Sequence, residues 1–324
     1  LKFVLPLLVL ALLGCRSNPP DQAGTGMTPL PPVPKPQPKP DTLRFFALGD
    51  WGFWGGGEQR AVAKAMTRYA DSLRPTFIVS TGDNFYDHGV ESVDDPHWKT
   101  SFEDVYTAAS LQVPWYVVLG NHDYPKSPQA QIDYSKKNPR WRMPARYFTT
   151  AVKLDGQNTV RLVYLDTNPM IEAYRTNPAL AEYREASAQN PARQRAWLDS
   201  VLTATTEPWK IVVGHHPIYT AGLAYRDSPE LIQELKPILR KHHVQLYLCG
   251  HDHNLQHHRV PGESTDYVIS GGGGGWRYAG TNERTLFSAS SPGFAAFSVR
   301  SDSLFLEFID PNGKRLYRMG RGRN

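Results

Sequence analysis

Phe77-Ile78-Val79-Ser80-Thr81-Gly82-Asp83-Asn84 is an apolar, β-rich run that stops at a glycine and ends in an acid and an amide. The same design recurs along the chain. Leu43-Arg44-Phe45-Phe46-Ala47-Leu48-Gly49-Asp50 comes before it, and Trp115-Tyr116-Val117-Val118-Leu119-Gly120-Asn121-His122-Asp123 after it. Ile211-Val212-Val213-Gly214-His215-His216-Pro217 and Val244-Gln245-Leu246-Tyr247-Leu248-Cys249-Gly250-His251-Asp252-His253 follow. Near-continuous apolar runs of this length read as strands buried on both faces. Helical spacing separates them. Val62, Met66, Tyr69 and Leu73 fall on one face of 58–74, and Ala196, Leu198, Val201 and Leu202 follow a start near Asn190. Leu231, Leu235, Ile238 and Leu239 mark another helix, with Pro237 a kink or a start. Strand–helix alternation predicts an α/β fold with mostly parallel pairing. The runs Asp266–Ser270, Phe294–Val299 and Leu304–Ile309 lack intervening helices and are expected to extend a sheet in antiparallel fashion.

Ligands of open α/β sheets bind beyond the carboxyl ends of the strands. One aspartate after a strand is ordinary turn chemistry. Five such ends carrying Asp50, Asp83, Asn121, His215 and the His251/His253 pair predict a metal centre. Mixed oxygen and nitrogen donors suit Fe, Zn, Mn or Co better than an all-oxygen calcium site. The donors are too many for one catalytic ion with an open position. A two-metal site needs a bridge, and a carboxylate can offer one oxygen to each ion.

Gly49-Asp50, Gly82-Asp83-Asn84, Gly120-Asn121-His122-Asp123, Gly214-His215-His216-Pro217 and Gly250-His251-Asp252-His253 resemble the five motif blocks of calcineurin-like metallophosphoesterases. Gly49-Asp50-Trp51-Gly52, Asp83-Asn84-Phe85-Tyr86 and Cys249-Gly250-His251-Asp252-His253-Asn254-Leu255-Gln256 resemble the small, tartrate-resistant type of purple acid phosphatase. The resemblance implies an α/β fold of two packed mixed β-sheets flanked by helices. It implies that Asp50, Asp83, Tyr86 and His253 hold a ferric ion, with Asp83 bridging. Asn121, His215 and His251 would hold a divalent Fe, Zn or Mn. The implied activity is hydrolysis of phosphate monoesters at this binuclear centre, hydroxide held on the ions attacking phosphorus in line. The implied substrates are phosphorylated small molecules or phosphoproteins. His122 is expected to bind phosphate or protonate the leaving oxygen, with Asp123 orienting it. Relatives often carry a histidine shortly after the Gly-His-x-Pro block. None occurs between Ile218 and Asp227, and His216 is a candidate to reach substrate instead. Two alternatives share these residues: a phosphodiesterase on the same fold, and a metal- or phosphate-binding surface protein without activity. His242, His243, His257 and His258 carry no assignment. Gly271 to Gly275 reads equally as a flexible rim over the centre or as a tight sheet connection.

Outside the motif region the chain is read by composition. Its 324 residues are 40% hydrophobic, 11% aromatic and 21% charged, proportions that exclude collagen, coiled coil and wholesale disorder. Two cysteines exclude a disulfide-stapled scaffold. Residues 1–14 read as a signal peptide: Lys2, then the apolar run Phe3 to Leu13. Leu12-Leu13-Gly14-Cys15 resembles a bacterial lipobox, which implies an exported lipoprotein of the periplasm or cell envelope, anchored to the membrane at Cys15. Residues 15–41 read as a proline-rich tether, with Pro31, Pro32, Pro34, Pro36, Pro38 and Pro40 favouring an extended chain. The phosphoesterase domain is expected over 42–324. Its C-terminal Lys314, Arg315, Arg318, Arg321 and Arg323 account for much of the net charge of +5. They are expected to form a frayed, solvated basic tail, not a nucleic-acid surface.

Overall fold

The computed structural model describes residues 42–323, so the signal peptide, the lipobox at Cys15 and the proline-rich tether lie outside the described residues. The first half of the chain supplies β1 (Leu43–Leu48), β2 (Phe77–Ser80), β3 (Trp115–Val117), β4 (Trp141–Arg142), β5 (Phe148–Lys153), β6 (Thr159–Tyr164) and β7 (Trp209–Val213). The second half supplies β8 (Leu246–Cys249), β9 (Leu255–Arg259), β10 (Asp266–Ser270), β11 (Thr285–Ala289), β12 (Phe294–Val299), β13 (Ser303–Ile309) and β14 (Arg315–Gly322). These form two seven-stranded sheets. One runs β14-β13-β12-β1-β2-β3-β4, the other β11-β9-β10-β8-β7-β6-β5. The architecture is the expected pair of mixed sheets. The five motif strands divide between them: β1, β2 and β3 lie parallel in the first, β7 and β8 parallel in the second.

The main core lies between the sheets. Phe45 stacks on Phe77 at 4.9 Å and on Phe297 at 4.7 Å between ring centroids, and Ile211, Val213, Leu246, Leu248 and Val268 meet this layer from the second sheet. Alternate residues of the second sheet, Val212, Tyr247 and Ile269, face a smaller core under the helices Pro191–Ala204, Pro229–Glu234 and Lys236–Lys241. The expected helices form. Gly57–Leu73 buries Val62 and Met66. Asn190 caps Pro191–Ala204 by accepting from the Arg193 N–H. Pro237 sits in the first turn of Lys236–Lys241, where a missing N–H costs nothing.

Two expectations need correction. Asp266–Ser270 is not purely antiparallel: β10 pairs antiparallel with β9 but parallel with β8. The basic C-terminus is not a frayed tail. It forms β14, paired along β13 from Ser303–Gly322 to Ile309–Arg315. The Arg321 side chain packs there against buried Asp266, its Nη1 donating to Oδ2 at 2.7 Å. Among the described residues no helix is long and apolar enough to cross a membrane.

Candidate metal centre

All five polar clusters meet where the carboxyl ends of the parallel strands of both sheets converge. Asp50 and Asp83 follow β1 and β2, and Asn121 opens a short turn after β3. His215 and His216 follow β7, and His251 and His253 follow β8. Asp50, Asp83 and His251 adopt φ values of 59°, 50° and 68°. The left-handed region costs a non-glycine residue roughly 1–3 kcal/mol and persists only where surroundings over-determine it. Here they do. The Asp50 N–H donates to Gly82 O at 2.9 Å, and the His251 N–H to Asp50 Oδ2 at 2.9 Å. Next to Asp50, Trp51 is fully buried and donates from Nε1 to Ser80 Oγ at 2.8 Å, locking the β1 turn onto β2.

Seven side chains form two groups of donors. In the first, Tyr86 Oη lies 3.2 Å from Asp50 Oδ1, 2.7 Å from Asp83 Oδ2 and 3.0 Å from His253 Nε2. In the second, Asn121 Oδ1 lies 3.2 Å from His215 Nε2 and 3.0 Å from His251 Nδ1, and those nitrogens are 3.1 Å apart. His215 Nε2 is also 3.5 Å from Asp83 Oδ1. Asp83 therefore turns one carboxylate oxygen to each group.

This donor set fits cations. His215 Nδ1 is 2.9 Å from the Thr81 carbonyl, so the ring proton sits there and Nε2 presents a lone pair. Lone pairs of His215 Nε2, Asn121 Oδ1 and Asp83 Oδ1 then converge with at most one proton, on His251, to share. Hydrogen bonds among them cannot satisfy the cluster, and a metal ion can. Separations of about 3 Å also suit donors placed about 2.0–2.2 Å from one ion. Burial, then Asp83, pushes the Asp50 carboxyl well above the usual carboxylate range. Burial, then Asp83 and Asp50, does the same to the Tyr86 phenol. Burial, then His216 and His215, holds the His251 imidazole well below its usual value. Positive charge among these donors reverses the cost of ionising Asp50 and Tyr86.

His122 stands beside this centre, its ring 4.4 Å from Tyr86. Its backbone N–H donates to Asp83 Oδ1 at 2.8 Å, and its Nδ1 lies 2.7 Å from the Asp87 carbonyl. Asp123 does not orient it, contrary to expectation. The buried Asp123 carboxylate accepts instead from the N–H groups of Gly120, Asn84 and Phe85 and from Gln131 Nε2, tying the β2 and β3 turns together. His216 is buried beside the second group, and one ring nitrogen of each of His215, His216 and His251 lies within 4.8 Å of the others. Thr167 Oγ1 accepts the backbone N–H groups of His215 and His216, leaving its own proton for His216 Nδ1 at 2.8 Å. The ring proton of His216 is then on Nε2, which has no hydrogen-bond partner among the described residues.

Thr167 escaped the sequence reading although a signal was present. Val160-Arg161-Leu162-Val163-Tyr164-Leu165 runs into Asp166-Thr167-Asn168, a sixth strand with the same polar ending. Tyr225 and Arg277, which also border the centre, lie in loops with no pattern to mark them. The glycine run resolves as a tight connection. A Cβ on Gly273 would stand 2.5 Å from Gly49 O and one on Gly274 2.6 Å from Trp51 O, so the segment passes flush against the Asp50 turn.

Residues 43–255 match the family of calcineurin-like phosphoesterases. The chain belongs to that family. Purple acid phosphatase 4 of Arabidopsis thaliana is 36% identical over 293 residues, covering 87% of this chain and 84% of that protein. Tartrate-resistant acid phosphatase type 5 of Homo sapiens is 32% identical over 293 residues, covering 85% and 90%. Within the family the chain therefore groups with the purple acid phosphatases. Among solved structures, Plasmodium GAP50, described as the anchor in the inner membrane complex, aligns with a TM-score of 0.74 at 27% identity over 88% of this chain and 90% of that one. Purple acid phosphatase PPD1 from yellow lupin seeds shares the fold, with a TM-score of 0.64 at 16% identity over 88% and 55%.

Proposed function

We infer that the chain hydrolyses phosphate monoesters at a binuclear metal centre. The observation that carries this is the Asp83 carboxylate, with Oδ2 in the Asp50–Tyr86–His253 group and Oδ1 in the Asn121–His215–His251 group. Bound there, a pair of ions supplies charge neutralisation for phosphoryl oxygens and an acidified water as nucleophile. The protein's own groups do the rest. His122 spends Nδ1–H on the Asp87 carbonyl, so Nε2 is the ring atom left to pass a proton to the leaving oxygen. His216 Nε2–H is an uncommitted donor at the second group. Such positioning and charge stabilisation is what phosphoryl transfer requires. Exposed Leu223, Trp276 and Tyr278 lie in the loops that carry Tyr225 and Arg277, an open surface that suits phosphorylated small molecules and phosphoproteins alike.

Purified protein should release phosphate from an aryl phosphate and carry two ions. Asp83→Ala should lose both activity and metal, because each group depends on it. Full metal occupancy in that variant would sink the bridging role. The first ion is ferric in this reading, since a phenolate binds a hard Fe³⁺ ion well, and the second is a divalent Fe, Zn or Mn. Iron-grown protein should then be pink to violet and Tyr86→Phe colourless; a coloured Tyr86→Phe protein counts against phenolate ligation. The protein is exported and held in the cell envelope by lipid on Cys15. Cys15→Ser should move it from membranes to the soluble fraction, and unchanged membrane association would refute that anchor.

A further inference from the structure

Two loops close over the His251/His253 side of the centre. They are joined by a short antiparallel contact. Gly222 bridges Ala279, the Leu223 N–H donates to Tyr278 O at 3.1 Å, and the Gly280 N–H to Ala221 O at 2.7 Å. One loop brings Tyr225, whose ring lies 4.1 Å from that of His251 at 33°. The other brings Arg277, whose N–H donates to the His253 carbonyl at 2.6 Å. Arg277 Nη1 donates to Tyr225 Oη at 2.7 Å. Among the described residues this is the only side-chain hydrogen bond of Arg277, and it has no ion pair. The half-buried guanidinium thus keeps most of its five donors free beside the metal donors.

We propose that Arg277, held in place by Tyr225, binds a non-bridging oxygen of the substrate's phosphoryl group and selects monoesters over diesters. The proposal rests on the binuclear phosphatase reading. A cation set against a site for two metal ions, with only a neutral phenol for a partner, has an electrostatic purpose when an anion joins it. Arg277 and the ions together leave the centre positive, and a phosphoryl dianion offsets that charge. A planar guanidinium matches such oxygens in pairs. A phosphodiester carries one negative charge fewer and has an ester group where a free oxygen would meet Arg277. Tyr225 is a positioning residue: it acts through Arg277, and its ring against His251 sets the direction of the fork.

The test uses metal-loaded wild-type protein with Arg277→Met, Arg277→Lys and Tyr225→Phe. Binding of inorganic phosphate is measured by calorimetry, and KM and kcat for an aryl phosphate and for a bis-aryl phosphate. Metal content is measured on every sample. A charge-assisted hydrogen bond predicts that Arg277→Met binds phosphate about 10–100-fold more weakly. Its KM for the monoester should rise in step while the KM for the diester changes little. Arg277→Lys should recover part of the loss, and Tyr225→Phe should lie between wild type and Arg277→Met. Wild-type phosphate affinity in Arg277→Met overturns the proposal. So does loss of metal in that variant, which would assign Arg277 to holding the His253 loop. Failure of the wild-type protein to release phosphate from monoesters counts against the catalytic reading instead, because phosphate binding is measured without turnover.

Discussion

At the scale of the residue, His122 separates binding from catalysis. Its backbone serves Asp83 through an N–H, whereas its ring touches no metal donor by hydrogen bond and is set by the Asp87 carbonyl. Removing the ring leaves the backbone contact in place. His122→Ala should therefore keep its metal content and lose about 10²–10⁴ in turnover, the range for a positioned proton donor. Metal analysis beside steady-state kinetics checks this, and unchanged turnover would make the ring merely structural. The contrast with Asp123 is instructive. Adjacent acid and imidazole invite the reading of an orienting pair, yet the Asp123 carboxylate is consumed by three backbone N–H groups and Gln131. Nothing in the residue types reveals that a carbonyl four positions beyond Asp83 takes the orienting role. That depends on how the Asp83–Asp87 turn folds back.

At the scale of the element, strand β14 turns a basic terminus into part of the sheet. Asp266 on β10 accepts from His257 Nε2 at 2.9 Å, Arg259 Nε at 2.7 Å and Arg321 Nη1 at 2.7 Å. Burial opposes the charged carboxylate, but the hydrogen bonds from His257 and Arg259 and the Arg321 charge outweigh it and hold Asp266 well below the usual carboxylate range. Asp266→Ala takes the one carboxylate from Arg321 and from buried His257, leaving Arg321 only the Gln245 and Ser264 carbonyls. Removing one partner of a buried pair costs about 3–5 kcal/mol. A urea midpoint should fall accordingly, while the metal centre on the other ends of the strands keeps its donors. An unchanged midpoint would show that β14 is held by its pairing with β13 alone. Five Lys and Arg residues close together look like a solvated tail when counted, because charge in one dimension does not disclose a buried carboxylate on a distant strand.

At the scale of the whole molecule, pH acts through buried imidazoles. Burial, then the neighbouring His257, pulls His258 down to about 4, with Nε2 2.7 Å from Gln256 Oε1. An unfolded histidine titrates near about 6.5. Between about pH 6.5 and pH 4 the unfolded chain thus binds more protons at this position. Its contribution is complete above that window and lost as pH falls through it. Asp123, pushed up to about 7 by burial and by Asp83, has the opposite sign over part of the same range, so the bulk curve mixes the two. A difference measurement separates them. His258→Gln should be less stable than wild type at pH 7, and the gap should narrow steadily towards pH 4. A gap independent of pH would mean that His258 stays neutral in both states.

The sequence by itself determined the α/β class, the five strand ends and six of the polar side chains that gather beyond them; Tyr86 was legible only through a family resemblance. Buried strands read as unbroken apolar runs, and metal donors are few residue types in a repeated position. It also placed the helix Gly57–Leu73 to within a residue at each end and the start of Pro191–Ala204, because those signals are local. Only the tertiary structure decided how five strands divide between two sheets and still aim at one seam, since periodicity carries no information about pairing partners. It alone decided that Gly273 and Gly274 press against the Asp50 turn, that Thr167 sets the His216 tautomer, and that Arg277 bonds Tyr225 beside His251. Each of these is a contact between segments far apart in the chain. Such contacts follow from close packing in three dimensions, which residue order alone does not encode.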